Sequence, residues 1–121
     1  MQNNYSSAVA DYFRVTGLRF ADAPVVGLIQ EQNRFFVDLI GVKWHICAII
    51  WEMIYPDLFT QNGPHIKREH LLWCLVFLKN YSKNSRDAKI CKTTYKTFSK
   101  WVWIVMTAIA DIESDVVSSE F

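Results

Sequence analysis

The chain has 121 residues, of which 51% are hydrophobic and 15% are aromatic. That is enough apolar material for one packed core, and it excludes a disordered chain. Four glycines and three prolines are too few for a β-sandwich or barrel with a tight turn about every ten residues, so an all-α domain is predicted. The net charge of +1 excludes a protein that is basic or acidic throughout.

The cysteines and the chain start bear on the cellular compartment. The three cysteines are an odd number and form no Cys-x-x-Cys pair, which suits a reducing compartment. The residues after Met1 show no signal-peptide pattern. The longest uncharged apolar stretches, residues 71–78 and 101–110, are shorter than the roughly 18 residues of a membrane span. We therefore expect an intracellular protein without membrane contact.

The first half of the chain predicts an arm followed by helices. Polar and small residues mixed with scattered aromatics predict a weakly ordered arm over residues 1–25, with one helical turn near residues 8–13. A single helical domain is predicted over residues 26–121. Its first helix covers about residues 26–40 and ends at Gly41. Its second covers about residues 43–55 and ends at Pro56, whose ring removes an amide donor. A turn-rich loop follows over residues 56–65.

The second half predicts a central helix and a two-helix unit. The third helix, about residues 67–80, is apolar on every side over residues 71–78, so it needs neighbours on all sides. A short helix over residues 85–91 with Ser85 as N-cap and a helix over residues 94–112 capped by Thr93 or Thr94 complete a bundle of about five helices. The residues expected to be buried together are Leu71, Leu75, Leu78, Phe98, Val102 and Val105.

The charges are sorted along the chain. Residues 1–78 carry six basic and seven acidic groups, residues 79–100 carry seven basic groups against Asp87 alone, and residues 101–121 carry four acidic groups and no basic one. A compact cationic segment therefore lies between an apolar body and an acidic tail. This asymmetry predicts a polyanionic partner for the cationic segment.

The cationic segment has the outline of a helix-turn-helix over residues 85–112: a short helix, a break of about three residues, and a longer helix with cationic and hydroxyl side chains at its start. Lysines four residues apart repeat at about 6 Å along one side of a helix, and threonines can contact phosphates or base edges. The alternative is that the lysines only solvate an amphipathic helix. The predicted DNA-binding residues are Arg86, Lys89, Lys92, Thr93, Thr94, Lys96, Thr97 and Lys100.

Other chemistry has few candidates. His70 and Cys74 have the helical spacing of two metal ligands, and Cys74 or Cys91 beside a histidine has the composition of a nucleophile pair. Buried thiols and a histidine near a helix cap are the ordinary explanation. Trp101 and Trp103 are interpreted as core residues. The alternatives are a stacking platform for bases and a position of one of the two at the border of the basic surface. No catalytic residue, metal, cofactor or small-molecule substrate is predicted, because no acids, nucleophile and base, or glycine-rich phosphate loop converge.

Several sequence blocks occur in a recognisable order. They are FFVDLIGV at 35–42, CAIIW at 47–51, KREHLLWCLVFLK at 67–79, KTFSKWVW at 96–103 and AIAD at 108–111. Over residues 34–117 the chain resembles the N-terminal helical region of harbinger/PIF-type DDE transposases. The resemblance implies a DNA-contacting helical region that precedes an RNase H-like nuclease domain. The sequence ends about where that domain would begin, and Cys91-Lys92-Thr93 replaces the glycine expected in the turn.

Two hypotheses from different classes follow. The first is a DNA-binding helical module that resembles part of a transposable-element protein, lacks the catalytic domain, and binds double-stranded DNA in the nucleus, alone or beside a separate nuclease chain or a second copy. The alternative is a protein–protein interaction domain whose basic face docks an acidic partner, including the acidic tail of another copy. An enzyme is not predicted.

Overall fold

The computed structural model describes residues 7–80 and 84–120, with side chains at 7–80 and 86–112. These residues form six α-helices and one 3₁₀ turn, and no strand occurs among them. The all-α prediction is therefore confirmed. The helices are α1 Ser7–Phe20, α2 Ile29–Ile40, α3 Trp44–Asn62, α4 Arg68–Asn80, α5 Asn84–Ile90 and α6 Tyr95–Glu120, and the 3₁₀ turn is Gly63–His65.

Helix α4 is the centre of the fold, as predicted. It packs against each of the other five helices, and all its residues from 71 to 76 are buried. Of the six residues expected to be buried together, only Leu78 is half-buried, at the exit of α4. The other five lie in one hydrophobic core. A helix that is apolar on every side thus has protein on every side.

The predicted weakly ordered arm was wrong for residues 7–20, which form α1 and raise the number of helices to six. Phe13 and Leu18 of this helix are fully buried. The apolar stripe is hard to recognise because the small residues Thr16 and Gly17 share the buried face. The remaining predicted arm residues, 1–6, lie outside the described part of the chain.

Gly17 allows α1 and α2 to approach closely. A Cβ atom at Gly17 would overlap the Cε2 and Cδ2 atoms of the Phe36 ring, and Phe36 is fully buried. Alanine favours a helix over glycine by up to about 1 kcal/mol, whereas overpacking of a core costs about 1–3 kcal/mol. The close contact therefore outweighs helix propensity at this position.

We expect Gly17→Ala to lower the free energy of unfolding by about 1–2 kcal/mol, because Phe36 has no free space into which to move. Urea unfolding followed by circular dichroism measures this change. Phe36→Leu should cost less in the Gly17→Ala background than in the parent, since the smaller side chain relieves the overlap. A Gly17→Ala variant as stable as the parent would contradict the packing described for this contact.

The ends of α2 and α3 test the two predicted stop signals. Gly41 has φ 97° and donates its N–H to the Val37 carbonyl at 2.8 Å, as expected for a C-cap. The prediction that Pro56 ends the next helix was wrong, because Pro56 lies inside α3. Glu52, whose carbonyl loses its helical donor, is exposed, so that oxygen can reach water. Leu58 beyond the proline is only 2% exposed, and its burial favours continuation of the helix to Asn62.

The C-terminal helices agree with prediction in order and differ at their ends. Helix α5 begins at Asn84, so Ser85 lies inside it and is not its N-cap. Helix α6 extends to Glu120, beyond the predicted end at residue 112. The predicted connector residues 81–83 lie outside the described residues. None of the helices in the described ranges combines the length and apolar character needed to cross a bilayer.

Candidate nucleic-acid interface

The turn between α5 and α6 is a Schellman motif built without glycine. Thr93 donates its N–H to the Ala88 carbonyl at 2.9 Å, and Lys92 donates its N–H to the Lys89 carbonyl at 3.1 Å. Lys92 takes the left-handed conformation with φ 60°, a position usually held by glycine. The sequence left the turn geometry open because the expected glycine is missing. Lys92 supplies that conformation itself, and it places a cation at the junction of the two helices.

The first turn of α6 is capped by Thr94, one of the two predicted caps. The Thr97 N–H donates to Thr94 Oγ1 at 3.4 Å, and the Thr94 hydroxyl donates to Thr97 Oγ1 at 2.9 Å. Thr94 therefore uses its hydroxyl within the helix start, and the side chain of Thr97 is exposed to solvent beside it.

The predicted DNA-binding residues lie at the surface, with one exception. Thr93 is half-buried, and the other seven are exposed: Arg86, Lys89, Lys92, Thr94, Lys96, Thr97 and Lys100. The one acidic residue of this segment, Asp87, is fully buried in α5. The described surface of residues 86–100 therefore presents cations and hydroxyls to solvent, and not the carboxylate.

The two tryptophans of α6 differ in burial. Trp101 is 8% exposed and belongs to the core, as predicted, whereas Trp103 is 70% exposed. The interpretation of Trp103 as a core residue was wrong, and its exposure agrees with the alternative that one of the two tryptophans borders the basic surface. Its distance of seven residues from Lys96 and three from Lys100 puts it on the same side of the helix as these lysines, and that spacing was a usable signal in the sequence.

The cationic face has one acidic neighbour that sequence reasoning missed. Asp22 follows α1 in a left-handed conformation, φ 54°, and its Oδ1 lies 3.6 Å from Lys92 Nζ. The side chains are 82% and 54% exposed, and such a pair contributes only about 0–1 kcal/mol. A phosphate can therefore replace Asp22 beside Lys92 at small cost.

An open groove of about 420 Å³ runs beside the start of α6. Its walls come from the α5–α6 unit and from the segment that leads into α4; the residues include Lys92, Thr93, Thr97, Trp101, His65, Lys67 and Glu69. His65 and Lys67 were not among the predicted DNA-binding residues. The signal was the run Pro64-His65-Ile66-Lys67-Arg68, which we interpreted only as a loop and the polar start of a helix. These residues add a second polar wall, with one lysine and one carboxylate, beside the helix-turn-helix.

The ammonium group of Lys100 lies over a ring of the core, and that ring stacks on a buried histidine. Its Nζ lies 5.0 Å from the centre of the Trp101 ring, and Trp101 stacks on His70 with ring centres 4.2 Å apart at 7°. His70 is only 3% exposed, and its Nδ1 accepts the backbone N–H of Lys67 at 3.0 Å. Burial, and then the charges of Lys67 and Lys100, lower the pKa of His70 to about 4. The neutral ring therefore serves as a helix cap and as a support for Trp101.

The buried thiols are protonated at neutral pH. Burial raises the pKa of Cys47, Cys74 and Cys91 to about 12 in each case, which disfavours their thiolate forms. Within residues 7–80 and 84–120 no group of three His, Cys, Asp or Glu side chains could hold a metal ion.

Comparison of the chain with protein-family models, with curated proteins and with solved structures finds no significant match. The resemblance to harbinger/PIF-type transposases therefore stays a prediction from the sequence blocks. The proposal of function rests on the geometry of the α5–α6 unit.

Proposed function

We propose that the chain is a DNA-binding helical module that docks the α5–turn–α6 unit on double-stranded DNA and performs no catalysis itself. Lys92, Lys96 and Lys100 contact phosphates, and Thr97 faces the base edges. In this proposal the module corresponds to the DNA-contacting part of a harbinger/PIF-type transposase, acts in the nucleus, and depends on another chain for any strand cleavage.

The observation that carries the proposal is the cluster of exposed cations on residues 86–100 of the α5–α6 unit. The lysines of residues 86–100 are exposed, Asp87, the one acidic residue in this range, is buried, and Lys92 already holds the carboxylate of Asp22 at 3.6 Å. Oxygen anions are thus accommodated at the turn. The groove beside α6 adds Lys67 on its opposite wall, next to Glu69, so a phosphate backbone can contact a lysine on each side of the helix start.

Replacing Lys96 and Lys100 by alanine should weaken duplex binding by one to two orders of magnitude at about 0.1 M salt, similarly for all sequences. Each lost phosphate contact also removes about 0.9 from the slope of log K against log salt, so the slope should flatten by about one to two units from a parent value of roughly −3 to −4. Fluorescence anisotropy of labelled duplexes between about 50 and 200 mM salt measures both quantities.

The matched control is Arg34→Ala with Lys43→Ala, which removes the same charge from exposed positions outside the α5–α6 unit. This control should bind DNA nearly as well as the parent. An equal loss of affinity in both double variants would show that net charge alone, and not the α5–α6 surface, determines DNA binding. Equal DNA binding by the Lys96/Lys100 variant and the parent would contradict the DNA-binding proposal. The second candidate function, docking of an acidic protein on this surface, would then be preferred, and the Asp22–Lys92 pair is an example of such a contact.

Thr97 and Thr94 should behave differently on replacement. Thr97→Val removes a hydroxyl without changing the shape, and it should alter the preference among duplex sequences more than overall affinity. Thr94→Val should instead lower stability by about 1 kcal/mol, because the hydroxyl caps α6. Binding-site selection on random duplexes, together with urea unfolding, separates the two effects. A shift in sequence preference with Thr94→Val but not with Thr97→Val would contradict this assignment.

A further inference from the structure

A second groove lies between the C-terminal part of α3 and the middle of α6. It encloses about 200 Å³. The apolar floor includes Ile54, Leu58 and Ile104. Among the described residues that line it, none is basic, and two carry carboxylates, Asp57 on α3 and Asp111 on α6.

Trp103 forms one wall of this groove, and 70% of its surface is exposed. An exposed tryptophan is an unusually large apolar surface, and tryptophan is enriched at the energetic centres of protein interfaces. Asp57 and Asp111 are also exposed. The groove therefore combines an aromatic face, two carboxylates and an apolar floor.

This combination selects a cation with an aliphatic stem. The face of a tryptophan ring attracts ammonium and guanidinium groups, the carboxylates add charge complementarity, and the apolar floor fits the methylene chain of lysine or arginine. The volume is smaller than the roughly 300–1,000 Å³ of sites for drug-sized ligands, so it fits one or two side chains rather than a whole small molecule.

We propose that the groove of Trp103, Asp57 and Asp111 is a docking site for a lysine- or arginine-bearing peptide segment of a partner protein. The cationic head lies between the Trp103 ring and the two carboxylates, and the stem and a neighbouring aliphatic residue lie on Ile54 and Ile104. The acidic end of this site lies apart from the DNA-binding surface, because Asp111 follows Lys100 by eleven residues, about 16 Å along α6, whereas Trp103 lies between the two.

The test uses the full chain labelled with ¹⁵N and a capped peptide, Gly-Ala-Leu-Arg-Leu-Ala-Gly. The same peptide with citrulline in place of arginine keeps the shape and removes the charge. We expect saturable shifts of the Trp103 indole N–H with the arginine peptide, and at least tenfold weaker binding of the citrulline peptide. Equal binding of the two peptides, or no saturable shift with either, would overturn the proposal.

Variants locate the site. Trp103→Ala, and separately Asp57→Asn with Asp111→Asn, should weaken the arginine peptide at least tenfold, read from backbone amides of α3 where the indole is absent. The matched control Asp38→Asn with Glu52→Gln removes the same charge from exposed positions outside the groove and should bind like the parent. An unchanged affinity of the Asp57/Asp111 variant would overturn the proposal.

Two further measurements distinguish peptide binding in the groove from DNA binding and from self-association of the chain. Lys96→Ala with Lys100→Ala should keep peptide binding, whereas Asp57→Asn with Asp111→Asn should keep DNA binding, so failure of one site leaves the other interpretable. Sedimentation equilibrium should show a monomer in the absence of peptide. A dimer that Trp103→Ala dissociates would assign the groove to a second copy of the chain and overturn the peptide proposal.

Discussion

Lowering the pH from about 7 to 4 should reduce the free energy of unfolding by about 3 kcal/mol through His70 alone. The pKa of this group falls from 6.5 in an exposed state to about 4 in the fold. Between these values the unfolded chain binds a proton that the folded chain does not, so stability is present above pH 6.5 and is lost as the pH falls toward 4. Each pKa unit corresponds to about 1.4 kcal/mol.

Urea unfolding at a series of pH values measures this dependence. In His70→Gln the amide oxygen can still accept the Lys67 N–H, but the side chain no longer titrates, so the pH dependence in this range should become much flatter. Identical pH dependence in the parent and in His70→Gln would show that the buried ring is not the group responsible.

Leu75→Ala should lower the free energy of unfolding by about 2–5 kcal/mol. Leu75 is 8% exposed and lies on α4, the helix that contacts all the others. The loss combines the transfer free energy of the deleted carbons with the cavity that they leave, because surrounding helices cannot all collapse into the space. Against a typical total of about 5–15 kcal/mol, this change removes a large part of the stability.

Leu28→Ala is the matched control, since the same atoms are removed from a leucine that is 68% exposed. It should change stability by no more than about 0.5 kcal/mol. Chemical denaturation of both variants, with circular dichroism and tryptophan fluorescence as independent probes, gives the two values. Similar losses for Leu28→Ala and Leu75→Ala would contradict the central position of α4.

The parts of the fold that could be predicted are those whose signal is local. The continuous apolar run of α4 requires burial, and Gly41 marks a C-cap by its own conformational freedom. Helix α1 was missed because its buried face includes Gly17, whose role depends on Phe36 in another helix. Pro56 was misinterpreted for a related reason: the local preference to stop the helix competes with the burial of Leu58, which only the folded structure reveals.

The candidate site divides in the same way. The lysines and threonines of the α5–α6 unit are close in sequence, so helical spacing was enough to group them. Asp22, His65 and Lys67 reach the same surface from distant segments, and no local pattern indicates that they meet it. The exposure of Trp103 was available from its spacing to Lys96 and Lys100, but its apolar neighbours outweighed that signal.

The exposed stripe of α6 gives the molecule a dipole along one helix. From Lys96 through Trp103 to Asp111 the side chains change from cationic to aromatic to anionic over about 22 Å at 1.5 Å per residue. A net charge of +1 therefore understates how the protein behaves near a charged surface. It should be retained by cation-exchange and heparin resins even near its sequence pI of 7.7, where net charge alone predicts no retention. On approach to a polyanion it should turn its lysine end forward before any contact forms.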